Sequence, residues 1–397
     1  MQFSGRIGRI SVSSTLVVSQ KATQMKAGGI DVVDFGAGEP DFATPENVKQ
    51  AAIDAIHQNF TKYTPTGGTA ELKKAVVERH AKDFGSSYKA EECLITVGGK
   101  QAIFEAVAAI INHGDEVILP VPYWVSFLDI VNYAGGKVAL LETQESEGFA
   151  IRAEAVEKLV TPKTRILIVN SPSNPSGAVV PLEEMQKLLA LAERHNFLLM
   201  SDECYCHFLY GHHKPYSIGA TKNRENLLIV GSLSKTYAMT GWRVGFALGA
   251  EGLLKKMLNL QSHSTSNPTS IAQKAAVEAL NGSQDSVRQM LAEYTRRRQK
   301  IVAGLRAMPG IECVMPDGAF YAYPNTGKVL KMAGMKDSTE LATRLLEEVH
   351  VALVPGPAFG TREHVRISYA TSEERIDEGL KRLKQFISKL VPAHAQA

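Results

Sequence analysis

The sequence predicts an α/β fold: a mainly parallel central sheet covered by helices, plus a smaller α+β part. Three observations predict it. Short runs rich in Val, Ile and Leu alternate with amphipathic helical patterns through the middle of the chain. Those runs are apolar on both faces, as in parallel strands buried from two sides. The last hundred residues change character, with short strand-like runs set among helices.

Taken in order, strands are expected at Cys93–Val97, Glu116–Leu119, Lys137–Leu141, Arg165–Asn170, Phe197–Asp202, Leu227–Gly231 and Val244–Leu248. Lys100–Asn112 carries Ile103, Phe104, Val107, Ile110 and Ile111 at helical spacing. Leu182–His195, opened by Pro181, carries Met185, Leu188, Leu189 and Ala192 on one face. Further strands are expected at Ile311–Met315, Phe320–Tyr323, Ala352–Val354 and Val365–Tyr369, with a helix at Thr339–Val349. A terminal helix opens with Thr371-x-x-Glu374, read as a capping box, and places Ile376, Leu380, Leu383, Ile387 and Leu390 together. A domain join is expected near residues 285–300. The helix there contains Arg296-Arg297-Arg298, whose charges read as a solvated face.

Composition excludes several classes. The 397 residues are 44% hydrophobic and 21% charged, ordinary for a globular protein and unlike a disordered or fibrous chain. Lys plus Arg is 44 against 41 Asp plus Glu, so a net charge of +3 gives no reason to expect nucleic acid or an anionic membrane. No stretch is long and apolar enough to span a bilayer, and Met1–Val18, broken by serines, does not read as a signal peptide. Four cysteines fit a reducing, cytoplasmic setting. Cys204-Tyr205-Cys206-His207 has metal-ligand residue types, but the pair is one residue apart and no second pair follows, so no metal is expected.

Two glycine-rich stretches fail as nucleotide motifs. Gly36-Ala-Gly38-Glu-Pro-Asp lacks the third glycine of a dinucleotide fingerprint, and Gly98-Gly99-Lys100-Gln101 lacks the earlier glycine and following Ser or Thr of a P-loop. Gly98-Gly99 still offers a strand end, a turn and a helix start, whose backbone N–H groups suit a phosphate.

Four pieces lie at the carboxyl ends of expected strands, where open α/β sheets bind ligands. They are Asn170–Gly177, Ser201–Tyr205, Ser232–Lys235 followed by Gly241-Trp242-Arg243, and Val365–Ser368. Lys235 follows a buried strand and two serines, a poor place for a solvated charge but a good one for an amine that attacks a carbonyl. Asp202 ends an apolar strand and needs a cationic partner. Strand alternation turns Arg366 away from Val365, Ile367 and Tyr369, toward a site rather than the core. A lysine amine with a carboxylate for a ring nitrogen suggests pyridoxal 5'-phosphate.

With these pieces assembled, the chain resembles the fold-type I, class I aminotransferases, and within them the bacterial aspartate and aspartate/prephenate branch. The resemblance runs from Ser13 to the terminal helix. It rests on Gly36-Ala-Gly-Glu-Pro-Asp-Phe42, Lys62-Tyr-Thr-Pro65, Thr96-Val-Gly-Gly-Lys-Gln101, Pro122-Tyr-Trp-Val-Ser126, Asn170–Gly177, Ser201–Tyr205, Ser232–Gly245 and Val365–Thr371. It implies the fold-type I transferase architecture, with a large domain at 45–289 and a small one built from 1–44 with 290–397. Lys235 would join pyridoxal phosphate as a Schiff base and shuttle the proton. Asp202 would keep the ring nitrogen protonated. Tyr205 and Asn174 would bond the ring hydroxyl, and Trp124 would stack on the ring. Gly99, Lys100, Ser232, Ser234 and Arg243 would hold the phosphate. Tyr63 would reach the neighbouring subunit's phosphate, making the unit a homodimer. Arg366 and the Gly38 backbone would take the substrate α-carboxylate.

The resemblance also implies a reader of the distal carboxylate of aspartate: Lys100 with Ser13 and Thr15. Relatives often carry a basic residue and Pro before that serine; here Ser11-Val12 stands there, which weakens prephenate as a substrate unless Arg9 substitutes. The expected reaction is aspartate:2-oxoglutarate transamination by a ping-pong mechanism. The alternatives are an aminotransferase for aromatic, prephenate or other neutral substrates and, more remotely, a β-lyase.

Overall fold

The computed structural model describes residues 1–11 and 14–390, with the side chains of 14–16 excepted. Among the described residues twelve strands are assigned in chain order. They are β1 (Val33–Asp34), β2 (Cys93–Thr96), β3 (Glu116–Val121), β4 (Lys137–Glu142), β5 (Thr164–Asn170), β6 (Leu198–Asp202), β7 (Leu227–Ser232), β8 (Gly245–Gly249), β9 (Tyr321–Ala322), β10 (Val351–Ala352), β11 (Val354–Pro355) and β12 (Val365–Ser368). Seven form one sheet in the order β2-β8-β7-β6-β5-β3-β4. All neighbours are parallel except β8, which runs antiparallel to both β2 and β7. The sheet is therefore mainly parallel, as the doubly apolar runs require.

Alternation along each strand feeds two separate cores. Leu167, Val169, Leu199 and Ile229 pack on one side of the sheet. Ile166, Ile168, Leu198, Met200, Leu228 and Val230 pack on the other. The helix Leu182–His195 covers the first side with Met185, Leu188, Leu189 and Ala192, all buried. The helix Gly99–Ile110 covers the second with Ala102, Ile103, Ala106 and Val107. Leu188 and Leu199 are fully buried, and truncating such a side chain to Ala typically costs about 2–5 kcal/mol.

A third core gathers the C-terminal part. Ile301, Leu305, Tyr321, Ile367, Ile376, Leu383 and Phe386 pack there with Val33 and Phe35 from near the N-terminus. Two small sheets frame it, β11-β12-β9 (antiparallel) and β1-β10 (parallel). Among the described residues no helix is long and apolar enough to cross a membrane.

Register sets the site. Asn170 pairs with Asp202, Asp202 with Val230, and Ser232 with Gly245. The carboxyl ends of β5, β6 and β7 thus lie side by side and deliver three of the four sequence pieces to one edge.

Four local expectations fail, each for a physical reason. Ile311–Met315 is no strand: it makes one isolated bridge, Glu312 to Asn325, because that stretch has no further neighbour. Ala352–Val354 is split between β10 and β11, which pair with different sheets. The cap of the helix Glu373–Leu390 is Ser372, not Thr371: its hydroxyl accepts from the Arg375 N–H at 3.3 Å. The arginine triplet is not one solvated face. Arg296 is exposed, but Arg297 is buried against Asp41, and Arg298 lies under the Tyr210 ring.

Candidate active site

Where β5, β6 and β7 end, a cavity of about 360 Å3 opens toward the C-terminal core. Lys235 sits on the short helix Leu233–Thr236 that follows β7 directly, so the chain leaves a buried strand and turns the lysine inward. Its Nζ donates to the Gly38 carbonyl. Burial holds its pKa below the usual lysine range, and the Arg366 and Arg243 charges add to that. A lowered lysine pKa puts more of the amine in its neutral, nucleophilic form.

Asp202 is the last residue of β6 and is 6% exposed. Its Oδ1 accepts from the Cys204 N–H at 3.1 Å, and burial pushes its pKa up to about 7. A carboxyl so placed is poised to keep its charge only beside a cation. Asn170, at the end of β5, bonds the Asp202 carbonyl through Nδ2 at 3.1 Å and accepts from the Asn174 N–H at 2.8 Å. It therefore sets the position of Asn174, whose Oδ1 accepts from Arg366 Nη1 at 3.0 Å.

Arg366 projects from β12 into the cavity, while Val365, Ile367 and Tyr369 pack in the core, as alternation predicts. It is 2% exposed. Nη2 donates to the Gly36 carbonyl at 2.8 Å, and the guanidinium lies over the Tyr321 and Phe359 rings at 4.6 and 5.2 Å. Its bonded partners are neutral carbonyl oxygens, and Nε is buried without any partner. An arginine in this state presents a charge that no carboxylate answers, the condition that a guest carboxylate relieves.

On the opposite rim, Gly98 takes φ +78° and caps the helix Gly99–Ile110. A Cβ there would collide with the Arg243 guanidinium, and one on Gly245 would meet the Gly98–Gly99 backbone. The two glycines bring Arg243, the helix N-terminus and β8 together. Arg243, itself at φ +56°, donates to the Thr240 carbonyl at 2.8 Å. The Ser232 hydroxyl accepts from the Ser234 N–H at 3.1 Å. Backbone donors, two hydroxyls and a guanidinium thus converge as an anion cradle. Lys100 leans over the Trp124 ring at 4.8 Å, its pKa lowered first by burial and then by Arg243. Lys100, Lys235, Arg243 and Arg366 line the cavity with Asp202, so the lining is predominantly cationic and fits a guest carrying a phosphate and carboxylates.

The structure brings together Gly38, Gly99, Lys100, Trp124, Asn174, Asp202, Tyr205, Ser232, Ser234, Lys235, Arg243 and Arg366. It does not bring in Tyr63, which is 92% exposed. Ser13 lies outside the described residues, as does the side chain of Thr15. Arg9 is exposed and lies against Gly135 rather than in the cavity. Sequence reasoning missed Tyr321, whose hydroxyl is 2.9 Å from that of Tyr205, and the roles of Asn170, Cys204 and Thr240. Asn170, Cys204 and Thr240 stood inside quoted motifs. Tyr321 is placed by its pairing with Ser368 across β9 and β12, for which one sequence has no signal.

Comparison with known proteins bears on this cavity. The family model for aminotransferase class I and II matches residues 30–383. The aspartate aminotransferase of Bacillus subtilis (strain 168) is 42% identical over 391 residues, spanning 98% of this chain and all of that one. The crystal structure of the aspartate aminotransferase of Rhizobium meliloti superposes with a TM-score of 0.93 at 43% identity, covering 98% of this chain and 99% of the other. The Thermus thermophilus aspartate aminotransferase with maleate gives 0.93 at 43% identity, with 97% and 99% covered. A lysine, a buried carboxylate and an unanswered arginine in one cavity are thus found in a chain that belongs to the class I and II aminotransferases, with the fold-type I architecture.

Proposed function

We propose that this aminotransferase moves the amino group of L-aspartate to 2-oxoglutarate, giving oxaloacetate and L-glutamate in two alternating half-reactions. The reading rests above all on the buried Arg366, bonded only to neutral acceptors, in the same cavity as Lys100 and Lys235. With Arg243 given to the phosphate and Lys235 to the reaction, Lys100 and Arg366 remain for a substrate with two carboxylates. Pyridoxal 5'-phosphate, when bound, supplies an aldehyde that accepts the amino group and a ring that draws electrons from the substrate α-carbon.

The chain's own residues supply the rest. Gly99 and Lys100 backbone N–H groups, Ser232, Ser234 and Arg243 would hold the phosphate. Asp202 would hold a proton at the ring nitrogen, and that cationic partner would draw the Asp202 pKa back down. Asn174 and Tyr205 would bond the ring hydroxyl, and Trp124 would cover the ring. Arg366 orients the α-carboxylate, with Gly38 beside it. Lys235 Nζ takes the proton from the substrate α-carbon and passes it to the cofactor, and moves it the opposite way in the second half-reaction. Lys100, with Ser13 and Thr15, reads the distal carboxylate.

Tyr63 has no role in its own cavity and is free to reach another copy, which supports a homodimer with shared sites. The shared core of Val33 and Phe35 with the C-terminal elements supports a division into 45–289 and 1–44 with 290–397. The test is a spectrum. Protein loaded with pyridoxal phosphate and given L-aspartate alone is expected to pass to the amine form of the cofactor and release oxaloacetate. A spectrum unmoved by aspartate but changed by phenylalanine would remove the aspartate reading and keep the cofactor chemistry.

A further inference from the structure

The loop from Gly36 to Thr44 has no regular secondary structure, yet it touches both reactive cations. The Gly36 carbonyl accepts from Arg366 Nη2 at 2.8 Å, and the Gly38 carbonyl accepts from Lys235 Nζ. Without helix or sheet bonds, side chains must fix the loop's path. Glu39 accepts from the Thr240 hydroxyl at 2.7 Å. Thr44 donates to the Ala238 carbonyl at 2.6 Å and accepts from Trp242 Nε1 at 3.0 Å. Those contacts tie the loop to the segment after Lys235.

The tie to the C-terminal part comes from the middle of the arginine triplet. Arg297 Nη1 donates to both Asp41 oxygens, at 2.8 and 2.9 Å. The guanidinium lies beside the Phe42 and Tyr294 rings, 5.3 and 5.7 Å from their centroids, and the two rings pack edge-on against each other. Its side chain is 8% exposed, against 63% for Arg296 beside it. A surface triplet kept for solubility would not bury its central charge.

We propose that Arg297 is a positioning residue for transamination. Through Asp41 it fixes the Gly36–Phe42 loop, and so the backbone carbonyls that aim Arg366 and Lys235. The proposal rests on Arg366 as the reader of the α-carboxylate. Releasing Asp41 lets the Gly36 carbonyl drift, and Arg366 then meets the carboxylate from a wider range of orientations. Every amino donor and every oxo acceptor has that carboxylate, so binding of all of them weakens together.

The test uses the loaded enzyme with Asp41→Asn, Arg297→Met, Arg297→Lys and the double variant D41N/R297M. Asp41→Asn keeps shape and is the variant least prone to misfold. It is expected to raise KM about tenfold for aspartate, a neutral amino donor and 2-oxoglutarate alike, with kcat within about threefold, measured well below the melting midpoint, which the Arg297 charge, deprived of Asp41, is expected to lower. Arg297→Lys should recover part of what Arg297→Met loses, and the double variant should be no worse than Arg297→Met. Unchanged KM in D41N, a shift confined to aspartate, or additive losses in the double variant would overturn the proposal. A wild type inert toward aspartate removes the aspartate reading alone, because the neutral donor still tests the loop.

Discussion

Arg366 carries a full charge to a position where its bonded acceptors are neutral. An uncompensated buried charge costs several kcal/mol. The faces of Tyr321 and Phe359 return part of that, about 0.5–2 kcal/mol each. A substrate carboxylate supplies the remainder, so the site binds what it lacks. Arg366→Lys keeps the charge but loses the planar fork. It is expected to lower kcat/KM for aspartate and for a neutral donor together by about 100-fold, close to 3 kcal/mol. Lys100→Ala should separate the two carboxylates, damaging aspartate turnover at least tenfold more than phenylalanine turnover. Equal losses for both donors would remove Lys100 from the distal site. The face that Arg366 presents was legible from alternation in Val365–Tyr369. Its acceptors were not, because Asn174 and Gly36 lie 192 and 330 residues away and only the closed fold brings them near.

Elements were legible where a periodic signal decides them. Leu182–His195 matches its helix to the residue, since Pro181 opens it and Asn196, in the left-handed region, ends it. Signals without a partner misled. Ile311–Met315 has strand composition but no neighbouring strand, and Arg296–Arg298 has surface composition but one buried member. The turn between β2 and the helix Gly99–Ile110 was recognised by its glycines, and the structure gives the reason: Gly98 has φ +78° and stands against Arg243. Gly98→Ala combines a strained backbone with a displaced guanidinium. It is expected to weaken retention of pyridoxal phosphate at least tenfold while retention of pyridoxal, which lacks the phosphate, changes little. Dialysis of loaded protein followed by cofactor absorbance measures both. Equal loss of the two cofactor forms would show that the turn acts on the ring and not on the phosphate.

At the scale of the whole molecule, buried acids tie stability to pH. Burial pushes Asp202 and Glu203 up to about 7, and Glu105 up to about 8. In the unfolded chain these groups ionise near 4. Between the two values the folded chain holds protons that the unfolded chain has released. Folding therefore gains about 1.4 kcal/mol per group for each pH unit that the pH falls within that window. His80 acts in the opposite sense. Burial holds it down to about 4 from an ordinary value near 6.5, so stability is lost as pH falls from about 6.5 to about 4. From pH 8 to 6.5 the acids act without that opposition, and below 6.5 His80 offsets one of them. Cofactor-free protein should therefore melt higher at pH 6.5 than at pH 8. Asp202→Asn should shrink the difference by removing one group's share. Loading with pyridoxal phosphate should shrink it in the same way, because a cationic ring nitrogen gives the Asp202 carboxylate the partner that burial denies it. A melting midpoint that climbs steadily from pH 6.5 to pH 8 would contradict the buried-acid account. A difference that loading leaves intact would place the titrating groups away from the cavity.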